Sequence, residues 1–184
     1  IDTLFTYEND PRYGVDNYNR QDCNIPDYTF HQNLCMMRGN NGKYGLINTD
    51  GEWVLDPAYE QIHYLNRLSL WLLKDNSSGR TLYGGADTRG KVSIPVEYDK
   101  FIYVRDETLG FDHNMLDLYA GYFGKDGNYF EVIFSPSYGG SHYQSPQGYT
   151  IRNYRDDFYD VIWEITAPNG RIRTYKDRQV DHTW

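Results

Sequence analysis

One 39-residue periodicity constrains this chain more than anything else in it. Lys43–Ile62 reads as an apolar run (Tyr44-Gly45-Leu46-Ile47), a polar turn ending in glycine (Asn48-Thr49-Asp50-Gly51), a second apolar run (Trp53-Val54-Leu55), then Pro57 and Tyr59. The same grammar returns at Thr81–Phe101: Tyr83-Gly84 stands 39 positions after Tyr44-Gly45, and Gly90, Ile94, Tyr98 and Asp99 follow Gly51, Leu55, Tyr59 and Glu60 at the same offset. A glycine, an aliphatic and a tyrosine kept in one register mark a repeat architecture. Period-2 alternation around an Asn/Asp-to-Gly turn makes each unit a β-hairpin. In the first hairpin Tyr44 and Leu46 share one face, and Trp53 and Leu55 share a face of the return strand. Pro57, lacking an N–H, is expected to end the ladder and let Tyr59 fold back over the hairpin.

Composition agrees. Nineteen tyrosines, 17 glycines and no long 3.6-period apolar stripe favour many short strands and tight turns. The fold class expected is all-β: short β-hairpin repeats of about 39 residues, stacked as a small sheet array or curled into a barrel-like sheet, with a C-terminal β-hairpin cap. The repeat region spans 1–138, its best copies 30–74 and 81–121, and the cap spans 148–184. Lys125-Asp126-Gly127-Asn128 and Phe134-Ser135-Pro136-Ser137-Tyr138 are a fainter echo. Residues 1–29 are rich in turn signals, and 137–147 is a Ser/Gly/Tyr/Pro/His loop. Strands are expected at Phe30–Arg38, Ser69–Lys74, Tyr149–Tyr154, Phe158–Thr166 and Arg171–Tyr175, with Pro168-Asn169-Gly170 a turn.

The formal net charge of −8, with scattered basic residues, argues against nucleic acid and suits either a basic protein partner or simple solubility. No segment has the length of a membrane span. The chain starts at Ile1 without Met and without a signal peptide, which reads as a removed leader or a shortened chain. Cys23 and Cys35 fit a disulfide in an oxidising compartment or two separate packed thiols, and the sequence leaves both open.

Lys43-Tyr44-Gly45-Leu46-Ile47, Gly51-Glu52-Trp53-Val54-Leu55 and Pro57-Ala58-Tyr59-Glu60 resemble the bacterial WG (KWG) repeat, with Tyr-Gly in place of the family's Trp-Gly. The likeness runs from about residue 28 to 104, is faint to 138 and absent beyond. It implies an all-β interaction module of bacterial secreted, envelope or effector proteins, or a cytoplasmic one in a toxin-immunity setting. The family has no common catalytic residues, so the resemblance carries over no active site.

No motif supplies a nucleophile. There is no Gly-x-Ser-x-Gly elbow, and Asp112-His113 and Asp181-His182 point to opposite faces if on strands. The five histidines lack metal-pair spacing and there is no Cys-x-x-Cys, so no metal or cofactor is expected. Asn40-Asn41-Gly42 and Asn48–Gly51 are turns rather than calcium loops. Asp156, Asp157, Asp160 and Glu164 concentrate carboxylates, but acid alternating with aromatic along a strand reads first as a solvated face.

Aromatics divide by position. Tyr44, Trp53, Tyr59, Tyr83 and Tyr98, with Gly45, Gly51, Gly84 and Gly90, occupy repeating positions and are assigned to the scaffold. Tyr64, Trp71, Tyr103, Tyr138, His142, Tyr143 and Tyr149 fall outside it and are the candidate binding residues. The leading expectation is a non-enzymatic module binding a protein partner, in one form an inhibitor or immunity-type protein for a basic toxin. The alternatives are a glycan-binding surface protein and a carboxylate-based hydrolase.

Overall fold

The structure is a computed structural model that describes residues 29–106, 118–134, 142–182 and 184. Cys23, Tyr138, Asp112-His113, the turn-rich stretch before residue 29 and the expected boundary at 138 lie outside those residues.

The fold is all-β. In chain order the strands are β1 (Leu34–Arg38), β2 (Tyr44–Asn48), β3 (Trp53–Tyr59), β4 (Gln61–Leu65), β5 (Leu70–Asp75), β6 (Leu82–Ala86), β7 (Val92–Tyr98), β8 (Lys100–Asp106), β9 (Leu118–Lys125), β10 (Asn128–Phe134), β11 (His142–Gln144), β12 (Thr150–Arg155), β13 (Val161–Thr166), β14 (Ile172–Lys176) and β15 (Val180–Asp181). They form four sheets, ordered β1-β2-β3, β4-β5-β6-β7, β11-β10-β9-β8-β15 and β12-β13-β14, and none closes into a barrel. Short 3-10 turns at Asn66–Leu68 and Asp177–Gln179 are the helical elements among the described residues. Among the described residues no helix is long and apolar enough to cross a membrane.

The 39-residue offset is visible in the strands. β7 lies 39 positions after β3 at both ends, and β8 starts 39 positions after β4. Between each pair the chain leaves one sheet and starts the next, at Glu60 and again at Asp99. The turns match atom for atom. Asn48 Oδ1 accepts the N–H groups of Asp50 (3.0 Å) and Glu52 (2.9 Å), and Asp87 Oδ1 accepts those of Arg89 (2.9 Å) and Lys91 (3.0 Å). Gly51 and Gly90 each take φ +81°, a conformation that glycine adopts without steric cost.

The aromatic-glycine pair also has a geometric reason. A Cβ on Gly45 would stand 2.3 Å from the Leu55 carbonyl oxygen, and one on Gly84 would stand 2.7 Å from the Ile94 carbonyl oxygen. Both glycines let the return strand cross at a distance no side chain permits.

Two expectations about this hairpin are corrected. Leu46 pairs with Leu55 but Ile47 with Trp53, so Val54 is an extra residue and β3 carries a bulge. The bulge sends the two neighbours apart: Leu55 joins the core of Leu34, Tyr44, Leu46, Ile62, Trp71 and Leu73, while Trp53 packs with Cys35, Met37 and Ile47. Nor does Pro57 end the ladder, since β3 runs on to Tyr59, which pairs with Tyr44. Proline is tolerated there because β3 is an edge strand and irregular at that point.

The described chain divides into two compact units. One takes residues up to Leu65 with Leu70–Val96, and the other takes Asn66–Ser69 with the residues from Glu97 on. In the second, Ile102, Val104, Ala120, Tyr122, Trp163, Ile165, Tyr175 and Val180 make a common core for the β8–β11 sheet and the β12–β14 sheet. The C-terminal segment is thus a three-stranded sheet plus a last strand, β15, that pairs with β8 (Val180 with Val104, Asp181 with Tyr103). Burying its apolar residues supplies about 25 cal/mol per Å² of apolar surface removed from water.

Candidate functional site

The β12–β13 hairpin ends in the same turn as the repeat hairpins, with one departure. Asp156 Oδ1 accepts the N–H groups of Phe158 and Asp160, both at 2.9 Å. The Asp156 N–H donates to the Asp160 carbonyl and the Tyr159 N–H to the Asp156 carbonyl, each at 3.0 Å. The residue matching Gly51, Gly90 and Gly170 (φ +81°, +81° and +82°) is Tyr159, at φ +63°. A bulky side chain in that region is a genuine outlier. Phe158 is 85% exposed and Tyr159 79%. Two aromatic rings therefore stand in water on a turn clamped by its own aspartate and by Arg155, whose guanidinium donates to the Tyr159 carbonyl at 3.0 Å.

More apolar surface lies on the same sheet. Trp163 and Ile165 face the core, so their neighbours Ile162, Glu164 and Thr166 face out, opposite Tyr154, Arg152 and Thr150 on β12 and Lys176, Thr174 and Ile172 on β14. Tyr154 and Ile172 are exposed. Three of the four carboxylates of this region are tied up locally: Asp160 pairs with Lys176 (2.9 Å) and Glu164 with Arg152 (2.8 Å), while Asp156 holds the turn. The expected strand from Phe158 begins only at Val161, and the acid-aromatic alternation before it belongs to a turn whose rings face solvent, not to a strand with a core face.

The candidate binding residues fall in different places. Trp71 is a correction: it is 1% exposed in β5, next to one sheet partner in Tyr64 and another in Ala86, and is core rather than a surface anchor. Tyr64 is partly buried against it and stacks on His31 at 4.6 Å. His142 and Tyr143 are not in an irregular loop but on β11, paired with Phe134 and Ile133, and Tyr143 is exposed. Tyr149 is half-buried, its hydroxyl donating to Glu131 at 3.1 Å. Tyr103 stacks on Tyr119 at 5.9 Å, and the Arg67 guanidinium lies 5.3 Å from the Tyr119 ring centre. Tyr103, Arg105, Tyr119, Arg178, Gln179 and Asp181 line a groove of about 410 Å³. Burial, then the neighbouring Tyr119, holds the Tyr103 phenol above its ordinary range. Of the scaffold residues, Tyr44, Tyr83 and Tyr98 are buried, and Trp53 and Tyr59 half-buried.

One polar cluster escaped the sequence reading. Glu131, 5% exposed on β10, accepts from the hydroxyls of Tyr122 (2.6 Å) and Tyr149 (3.1 Å) and from Arg173 Nη1 (3.0 Å). Burial, reinforced by this carboxylate, pushes the Tyr122 phenol far above the usual range. Burial works against the charge of Arg173, but Glu131 and the adjoining phenols keep its pKa raised. The available signal was a lone carboxylate inside the apolar run Tyr129–Phe134, which demands a partner.

Residues 44–66 match the family model described as WG containing repeat, a span that covers β2, β3 and β4. Comparison with curated proteins and with solved structures gave no match.

Proposed function

Starting from a chain that carries a WG repeat, we propose that this protein is a non-enzymatic module that binds a protein partner, with the Phe158–Tyr159 hairpin tip as its anchor. One observation carries the reading: a turn built like its siblings places an exposed tyrosine where they place glycine, beside an exposed phenylalanine. A chain selected for stability alone would use glycine at that φ and a polar residue beside it. Aromatic anchors on a rigid support lose little conformational entropy on binding and dominate interface energies. The acidic tip and the net charge of −8 favour a partner whose receiving pocket is rimmed by lysine and arginine. The test is quantitative capture from native cells with the wild-type chain and a Phe158→Ser/Tyr159→Gly variant. A basic protein held by the first and lost by the second is expected; identical recovery by both would sink the proposal.

A second reading, glycan binding, draws on the groove beside Tyr103. Its volume of about 410 Å³ falls within the size of ligand pockets, and guanidinium, amide and carboxylate groups ring an aromatic wall. A glycan array that responds to the wild type and not to Tyr103→Ala supports it, and a blank array removes it.

A further inference from the structure

We propose that the small cavity between β9, β14 and Tyr149 is a carboxylate-binding site whose ligand is gripped by Arg171 and Arg173. This lies in the second unit and does not depend on the hairpin-tip reading. The cavity measures about 90 Å³ and is walled by Tyr122, Tyr149, Ile165 and Asn169 along with the two arginines. Arg173 lies on β14, on the face that carries Tyr175 into the core, and Arg171, the residue just before that strand, lines the same cavity.

The buried Glu131 explains why a guanidinium is held here. Its carboxylate takes one nitrogen of Arg173 and both tyrosine hydroxyls. A guanidinium has five N–H donors in a fixed fork, so its bonds to Glu131 and Tyr175 orient Arg173 and still leave donors directed elsewhere. Burying such a pair is seldom a net gain in stability over packed apolar residues, which makes a binding role the better account of its presence. Asn169 Oδ1 is bonded to the Arg171 N–H at 3.0 Å, fixing the amide at the cavity rim with its NH₂ as a further donor.

Charge and size select the ligand. Two guanidinium groups against one carboxylate leave a single positive charge, which suits a monoanion better than a phosphate dianion. A cavity of roughly 150 Å³ accepts a benzene ring, so one of this size has room for about three or four heavy atoms, the bulk of a carboxylate and the carbon that bears it. Arginine matches a carboxylate through paired N–H donors. The carboxylate belongs either to a free small acid or to the end of a peptide chain, and both present the same group.

The experiment follows the side-chain N–H resonances of Arg171 and Arg173 by NMR during titration with sodium acetate, with sodium chloride at matched ionic strength, and with Gly-Gly in its free-acid and amidated forms. Saturable shifts are expected with acetate or free-acid Gly-Gly, and neither chloride nor the amide should reproduce them. A response to acetate assigns a free small acid; a response to the dipeptide alone assigns a chain terminus. Arg171→Gln, an exposed change that keeps the fold, should weaken the response at least tenfold, and Arg171→Lys should restore part of it. Shifts that chloride reproduces, silence toward both carboxylates, or an undiminished response in Arg171→Gln would each overturn the assignment.

Discussion

Replacing Tyr159 with glycine should make the second unit more stable. An L-residue in the left-handed region costs about 1–2 kcal/mol, and Tyr159 sits there at φ +63°. Glycine removes that cost but adds freedom to the unfolded chain worth about 0.5–1 kcal/mol. The ring is 79% exposed, so its loss forfeits little burial, and the turn's bonds to Asp156 and Arg155 involve only the backbone of residue 159. The net expectation is a gain of about 0.5–1 kcal/mol, or roughly 1–4 °C in Tm for a chain of this length. Urea denaturation should show a higher midpoint at an unchanged slope. Gly170 supplies the calibration on the same sheet. It has φ +82° with nothing within 4 Å of a Cβ, so Gly170→Ala measures the backbone cost alone and should lose about 1 kcal/mol. If Gly170→Ala shows that loss while Tyr159→Gly is neutral or destabilising, the tyrosine ring stabilises the fold and the strain argument is wrong.

Gly45→Ala should cost about 3 kcal/mol or more by overpacking, because its Cβ would meet a backbone oxygen at 2.3 Å that cannot rotate away; a midpoint within error of wild type would refute the contact. Asp87→Ala removes two turn bonds of 2.9 and 3.0 Å and should lose about 1–2 kcal/mol in the same assay, with Asn48→Ala alike because its turn is a copy. Glu131→Ala leaves Arg173 and two phenols without their acceptor and should cost about 3 kcal/mol, whereas Glu131→Gln, which still accepts, should cost less; equal losses would contradict the network. Burial raises the phenols of Tyr59, Tyr83, Tyr103, Tyr122, Tyr129 and Tyr149 in the fold. Their stabilisation is full below the unfolded value of about 10 and is lost as pH rises past it, because only the unfolded chain then ionises. A late phenolate absorbance step should coincide with loss of β-sheet circular dichroism, and complete titration near pH 10 with the sheets intact would refute it.

The repeat turns were readable because their chemistry is written in single residues: an asparagine or aspartate to bind the backbone and a glycine for positive φ, at Asn48/Gly51 and Asp87/Gly90. The β12–β13 turn was hidden by the absence of that glycine. Phe158, Tyr159 and Asp160 then pass for the start of a strand. The bulge at Val54 depends on how β2 and β3 pair and leaves no mark in β3 itself. Trp71 was misplaced for a different reason. Leu70-Trp71-Leu72-Leu73 is a continuous apolar run, the signature of a strand covered on both faces, and that pattern outweighs Trp71's lying outside the repeat. Glu131 and Arg173 are 42 residues apart, so their pairing exists only in the folded sheet stack.

The corner at Glu60 and its copy at Asp99 set the order in which the molecule can be completed. A polypeptide emerging from the ribosome finishes β1-β2-β3 before β4 is made, and finishes β4-β5-β6-β7 before β8. Such nearest-in-sequence pairing closes small loops and favours fast, stepwise folding. The next sheet breaks the rule. β8 has β9 on one side and β15 on the other, and Val180 meets Val104 only after the intervening chain has been synthesised. During synthesis the first two sheets have all their strands, while β8 keeps an unpaired edge until Val180 and Asp181 have left the exit tunnel. That interval is when an unpaired strand edge invites the wrong neighbour.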